Sequence, residues 1–315
     1  MTTTETVVET PPPVTPPLLK LGSVEVVDTF AEAFPITGTR LVITAITSEW
    51  ARIAATVLCG NATSVIACDV EAAIEREIPA EATPDGRPGV SVLVFAFSRD
   101  GLGKALAARV GQCVLTCPTT ACFNGLLDAP KEKQISVGGT LRYFGDTFQQ
   151  AKRLAGRRFW RVPVMDGEFL CEDKFGTVKG VAGGNLLIAG TTQEQTLRAA
   201  MQAVEAMRAV PDTALPFPGG IVRSGSKVGS RYKTLKASTN EAYCPTLRGV
   251  TALEIPDTVG AVYEIVIDGL SLESVRAATK AGLHAAAAAP GVVRITSGNY
   301  GGKLGPHHIY LRELL

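Results

Sequence analysis

Histidine is nearly missing from this chain, with 3 in 315 residues. There is no HExxH pair for a zinc hydrolase, and nothing in the sequence pairs with His284, His307 or His308 to build a Ser-His-Asp triad. The seven cysteines form no CxxC pair, and the spacing of Cys113, Cys117 and Cys122 matches no common zinc pattern. They read as reduced, mostly buried thiols of a cytosolic protein, not as nucleophiles, and the same holds for Cys244. Charge of one sign is also lacking. The 31 basic and 30 acidic residues leave a net +1, so no pull toward nucleic acid or anionic membrane is indicated. No apolar run reaches 18 residues, which excludes a transmembrane helix. The N-terminal stretch MTTTETVVETPPPVTPPLLK lacks the apolar core of a signal peptide, and its Thr and Pro content predicts a disordered tail over residues 1–21.

What the sequence does have is core material. Hydrophobic residues make up 46% and charged residues 19%, enough for one large domain or two ordinary ones. Two segments look alike. RLVITAITSEWARIAA (40–55) and NLLIAGTTQEQTLRAA (185–200) each read as strand, polar turn and amphipathic helix, with Glu in the first helical turn where it suits the helix dipole. Each is followed by a second strand–helix–strand unit. In the first half this is VSVLVFAFS, GLGKALAARV and QCVLTCP; in the second it is AVYEIVIDG, LESVRAATKAGLHAAAAA and PGVVRITSG. Two such units in a row give the ferredoxin-like pattern. The predicted class is therefore α+β: two ferredoxin-like α/β lobes related by duplication, over residues 22–163 and 164–315.

Long Gly-, Pro-, Ser- and Thr-rich segments lie between these units: TPDGRPG (83–89), CPTTACFNG (117–125), VAGGN (181–185), PFPGGIVRSGSKVGS (216–230), LKASTNEAYCPT (235–246) and SGNYGGKLG (297–305). Such loops offer backbone N–H groups and close approach to polar, extended ligands. None is a nucleotide loop. Between 216 and 230, Ser226 separates Gly225 from Lys227 and Val228 follows, where a phosphate loop needs Gly-Lys-Ser/Thr. The Gly101-Leu102-Gly103 start of a dinucleotide fingerprint meets Leu106 in place of its third glycine. The carboxylates say more. Glu264 stands in the otherwise apolar strand AVYEIVIDG, on the face of Val262 and Val266, where burial raises a carboxyl and keeps it protonated as a general acid is. Glu32 in DTFAEAF and Glu241 in STNEAYCP are weaker candidates of the same kind.

These stretches carry a resemblance. VVDTFAEAF (26–34), PDGRPGV (84–90), GQCVLTCPT (111–119), FGDTF (144–148), VAGGN, PFPGGIVRSGSKVGS, ASTNEAYCPT (237–246), VYEIVIDGL (262–270) and GVVRITSGNYGGKLG (291–305) follow one another as in the formylmethanofuran:tetrahydromethanopterin N-formyltransferases. The chain resembles that family from residue 22 to 315. The proline-rich N-terminal extension and the near-neutral charge depart from the strongly acidic members of hyperthermophilic methanogens, as a mesophilic bacterial version would.

The resemblance implies formyl transfer between the amine of methanofuran, or a bacterial analogue, and N5 of tetrahydromethanopterin. It implies a homotetramer with its cleft near subunit contacts, a formyl-hydrolase partner, and no metal or prosthetic group, the two carriers being substrates. It places a catalytic carboxyl at Glu264. The substrate-binding wall falls on Gly219, Gly220, Arg223, Ser224, Ser226, Lys227, Ser238, Thr239, Asn240 and Glu241. The chemistry agrees with the residues, because a tetrahedral intermediate needs hydrogen-bond donors and a proton but no covalent nucleophile. Two other readings are a non-catalytic pterin-binding scaffold subunit, which would be expected to lose Glu264 and the glycine loops, and a pterin-dependent formyl hydrolase, which would need a base or metal that three histidines scarcely supply.

Overall fold

The computed structural model describes residues 16–315. Its elements in order are strands β1 (Leu18–Leu21), β2 (Val24–Val27) and β3 (Phe30–Thr44), helix α1 (Ser48–Cys59), β4 (Glu71–Ile78), β5 (Gly89–Ala96), α2 (Arg99–Arg109) and β6 (Ala121–Asn124). A middle section follows: β7 (Gln134–Ser136), the short α3 (Gly138–Leu141), then β8 (Gln150–Leu154), β9 (Arg157–Val164), β10 (Gly167–Glu172) and β11 (Lys174–Gly176). The rest is β12 (Val178–Gly190), α4 (Gln193–Arg208), β13 (Thr213–Ala214), β14 (Ser226–Val228), β15 (Ala237–Thr239), β16 (Ala261–Gly269), α5 (Leu272–Ala288), β17 (Val292–Thr296) and β18 (His307–Tyr310).

The helices start where the sequence supplies caps. Thr47, Ser98, Thr192 and Ser271 each accept a backbone N–H of the first turn, and Ser271 forms a reciprocal capping box with Ser274. All of β5 is buried, which explains why it is apolar but for Ser91, whose hydroxyl donates to Glu75 at 2.6 Å. The pairing β6–β3–β5–β4 orders the first set of strands, and β17–β12–β16–β13 orders the second. Helices α1 and α2 pack on one set, and α4 and α5 on the other, over two separate apolar cores. The α4–α5 contact is close because small residues line it: a side chain at Gly282 would run into Met207.

The two sets form one mixed α/β body around a continuous sheet, since residues 178–182 of β12 pair with residues 34–38 of β3. Arg40 adds a polar tie. It bonds Glu75 of β4 through two nitrogens, at 2.8 and 2.7 Å, and also reaches Asp212 ahead of β13.

Three sequence expectations need correction. The strand expected at QCVLTCP is the end of a helix: α2 runs on through a wider turn, Val110–Val114, and the strand is β6, which begins at Ala121 in the loop segment that follows. VAGGN is no loop but part of β12, where a bulge between Val181 and Gly184 disturbs the pairing. Residues 18–21, placed in the tail, are β1, paired antiparallel with β2, which itself lies parallel to β17. Residues 1–15 of the expected tail lie outside the described residues. Residue 163 lies in β9, whose antiparallel partner β10 pairs in turn with β6.

Candidate active site

The second sheet has a helix-covered face and a helix-free face. Ile265 and Ile267 of β16 point into the α4–α5 core, while Val262 packs on the opposite side with Ala189, Ile255 and Val259. Alternation puts Glu264 on that helix-free side with Val262. Its register neighbours are Leu187 of β12 and, one strand further, Thr296 of β17. Residues directly opposite on neighbouring strands share a face, so Glu264, Leu187 and Thr296 form a row about 10 Å long.

On its other flank Glu264 pairs by its backbone with Val222: the Val222 amide donates to the Glu264 carbonyl at 2.7 Å, and the Glu264 amide to the Val222 carbonyl at 3.0 Å. Val222 lines an open cleft of about 450 Å³ together with Phe217, Pro218, Ile221, Arg223 and Ser224. The Glu264 carboxyl is half-buried, and no side chain among the described residues hydrogen-bonds or ion-pairs with it. Burial alone pushes it up to about 7. Such a group exists in both protonation states near neutrality, the condition under which a side chain gives and takes a proton efficiently.

The expected wall residues assemble in two places. Arg223 and Ser224 line the cleft itself. Ser226, Lys227, Ser238 and Thr239 form the β14–β15 hairpin, with Ser226 opposite Thr239 and Lys227 opposite Ser238. The Asn240 amide closes that hairpin onto the Gly225 carbonyl at 2.7 Å, and the Ser238 hydroxyl donates to the Gly229 carbonyl at 2.8 Å. Lys227 is not free to meet a carrier carboxylate unaided, because it ion-pairs with Glu241. That pairing holds the Glu241 carboxyl below its ordinary range, so Glu241 is no proton donor near neutrality.

The two glycines differ. Gly219 is exposed, with left-handed backbone (φ 66°) and open space where a side chain would stand. Gly220 turns inward against Val204 and Leu215, and its amide donates to the Phe217 carbonyl at 2.7 Å, so that N–H is not available to a substrate.

Glu32 proves to be the reverse of a general acid. It is buried at 3% exposure, and its carboxylate accepts four backbone amides from the 297–305 loop: Tyr300 at 2.6 Å, Gly302 at 3.0 Å, Gly305 at 2.8 Å, and Leu304. Burial pushes this carboxyl up, but the four amides outweigh it and hold Glu32 below the ordinary glutamate range. It stays ionised and shapes the loop. DTFAEAF gave no hint of this, because its partners lie far along the chain.

The remaining polar candidates are occupied or inward. His284 Nε2 lies 2.9 Å from the Leu314 carbonyl, and His307 and His308 belong to β18. All seven cysteines are free thiols; Cys122 is buried, and burial pushes Cys113 and Cys117 up.

A family model described as formylmethanofuran-tetrahydromethanopterin formyltransferase matches residues 19–164, and a second, described as FTR, proximal lobe, matches residues 167–314. The chain belongs to the formylmethanofuran–tetrahydromethanopterin formyltransferase family. Among relatives in this formyltransferase family, the enzyme of that name from Methylococcus capsulatus is 55% identical over 298 residues, covering 94% of this chain and 99% of its own. Solved formyltransferase structures agree. A chain of the formyltransferase/hydrolase complex of Methylorubrum extorquens, crystallised with methylofuran, superposes with a TM-score of 0.92 at 53% identity, covering 95% of this chain and 99% of its own. The formyltransferase of Methanosarcina barkeri superposes with a TM-score of 0.90 at 50% identity, covering 94% and 100%.

Proposed function

We propose that this chain transfers a formyl group between the amine of methanofuran, or a bacterial analogue, and N5 of tetrahydromethanopterin, by direct attack through a tetrahedral intermediate. The observation that carries the mechanism is Glu264: a lone carboxyl near neutrality, bonded through its backbone to the wall of the cleft. Attack by one nitrogen turns the formyl oxygen into an oxyanion. Collapse expels the other nitrogen, which takes its proton from the Glu264 carboxyl. The proton lost by the attacking nitrogen then restores that carboxyl, so the cycle closes without a covalent enzyme intermediate. No metal or prosthetic group enters this scheme, and the two carriers are substrates.

Arg223, Ser224 and the exposed Gly219 would hold the carriers at the cleft, and the β14–β15 hairpin with Ser226, Lys227, Ser238, Thr239, Asn240 and Glu241 would close over their polar tails. The equal order of strands and helices in the two sheet sets supports reading them as ferredoxin-like lobes related by duplication. The likeness to a chain of the Methylorubrum extorquens complex supports a hydrolase-type partner; we take the working form to be a homotetramer in the cytoplasm. The test is direct. Purified protein is mixed with formyl-tetrahydromethanopterin and methanofuran while the pterin absorbance is followed. A spectrum that does not change, in folded protein, sinks the proposal.

A further inference from the structure

The first set of strands also has a helix-free face, and it carries a cavity that the scheme above does not use. Leu41 and Ile43 of β3 point into the core beneath α1 and α2, while Val42 packs on the opposite side with Phe123 and Phe159. Alternation puts Arg40 on that side with Val42. The cavity there has a volume of about 300 Å³, at the small end for ligand pockets. Three arginines line it: Arg40 of β3, Arg76 of β4 and Arg157 of β9. Its apolar wall includes Ile78, Pro84 and Leu127. Val42 stands opposite Ser91 of β5 as Leu187 stands opposite Glu264 of β16. The Ser91 hydroxyl donates to Glu75, the carboxylate that holds Arg40. The first set therefore keeps polar residues at the place where the second keeps Glu264.

Two of the arginines are fixed from behind. Arg40 meets Glu75 through Nε and Nη2, and Arg157 meets Glu172 in the same way, with Nε at 2.8 Å. Both carboxylates are almost wholly buried. Neither Arg40 Nη1 nor Arg157 Nη1 has a hydrogen-bond partner among the described residues. Gly125 makes room for Arg40, since a side chain at 125 would sit 2.5 Å from Arg40 Cγ. Arg76 is the loose one, touching Glu75 only at 3.4 Å. Glu75, Glu172 and Asp212 do not line the cavity, whereas all three guanidiniums do. The carboxylate that does line it, Glu77, is itself ion-paired with Arg52. A ligand entering there meets cations first. Two of them are already held in place, so little ordering cost remains to be met on binding.

We propose that this cavity is a binding site for a small organic anion, a phosphate or carboxylate carried on an apolar body. The anionic group takes hydrogen bonds from Arg40 Nη1, Arg157 Nη1 and the Arg76 guanidinium. The apolar body lies against Ile78, Pro84 and Leu127. Arg40 also reaches Asp212 ahead of β13, so an occupant would rest on the polar tie between the two sets of strands. The site is independent of the Glu264 assignment.

Calorimetric titration of the whole protein with phenyl phosphate, benzoate and inorganic phosphate tests this. Phenyl phosphate or benzoate is expected to bind once per chain, more tightly than inorganic phosphate, and less tightly as sodium chloride is added. The tighter of the two organic probes names the anionic group. Two variants locate the site. Arg76→Ser removes the loose guanidinium and leaves both bonds from Arg40 to Glu75. Leu127→Glu puts a negative charge at an exposed position of the wall. Each should weaken binding about tenfold, the worth of one hydrogen bond to a charged group, with the melting temperature of the free protein unchanged. Arg223→Ala, in the transfer cleft, should leave the titration as it is. The proposal is overturned if neither organic probe binds, or if inorganic phosphate binds as tightly as phenyl phosphate. It is equally overturned if both Arg76→Ser and Leu127→Glu titrate like the parent, or if Arg223→Ala abolishes the signal.

Discussion

Val222 and Glu264 exchange both of their backbone hydrogen bonds, at 2.7 and 3.0 Å, outside any regular strand pair. The pair ties the proposed proton donor to the wall of the cleft. Substitutions of the Glu264 side chain therefore leave the bridge intact, and their effects report on chemistry.

The first prediction follows from that. Glu264→Gln should fold and bind both carriers while kcat falls ~10²–10⁴-fold, the usual worth of general acid–base help. A rate within a few-fold of the parent would remove Glu264 from the mechanism.

The same carboxyl should show in stability. Its folded value of about 7 lies above the ordinary 4.5, so the folded protein holds a proton that the unfolded chain gives up. Stability is then highest below the unfolded value and declines as pH rises through about 7, by on the order of 3 kcal/mol at most. Glu264→Gln should remove that decline, unfolding at higher denaturant than the parent at pH 8 and near the parent at pH 4. Parallel pH curves for the two proteins would show that the carboxyl is not raised.

Glu32 should behave in the opposite sense. Its carboxyl is held low, so its stabilising effect is complete above the ordinary glutamate range and fades as pH falls through the lower folded value. Glu32→Gln leaves buried amides without acceptors, at about 1–3 kcal/mol for each group stranded. Urea unfolding at pH 7 should show the loss, and hydrogen exchange should show the 297–305 amides exposed. Unchanged exchange there would contradict the four bonds.

Gly305→Ala tests the loop from its other end. A methyl group 2.2 Å from the Ala33 carbonyl must displace backbone on one side, at about 1–3 kcal/mol for overpacking. Turnover should fall with stability, and a melting temperature equal to the parent's would show that the loop takes another path.

Lys227→Ala should separate binding from folding. Both Lys227 and Glu241 are partly exposed and screened by solvent, so breaking their pair should barely change stability. KM for the carriers is expected to rise several-fold with thermal stability unchanged. An unaltered KM would take the hairpin out of the binding wall.

Local signals carried much of this fold. Thr47, Thr192 and Ser271 stand where helix caps belong, and Glu264 is conspicuous because β16 is apolar around it. Where the pattern was ambiguous it misled. The apolar run Val114-Leu115 suits strand and helix equally, and the real break is Thr119, left-handed at φ 63°, just ahead of β6. VAGGN reads as a turn because nothing local shows that Gly183 and Gly184 are small to let Phe34, Ile267 and Val275 approach. The role of Glu32 was illegible for a different reason, since no short window contains both the carboxylate and its amides.

That separation has a temporal consequence. The bonds on Glu32 span 268 to 273 residues, nearly the greatest reach available between described residues. Contacts closing so long a loop form late, after the entropy of the intervening chain has been overcome by other structure. During synthesis the first half emerges with Glu32 already committed to an apolar strand and with no amides to receive it. The loop on Glu32 should therefore close as the last event of folding, and a released chain truncated after residue 296 should hold both sets of strands yet leave Glu32 without its loop.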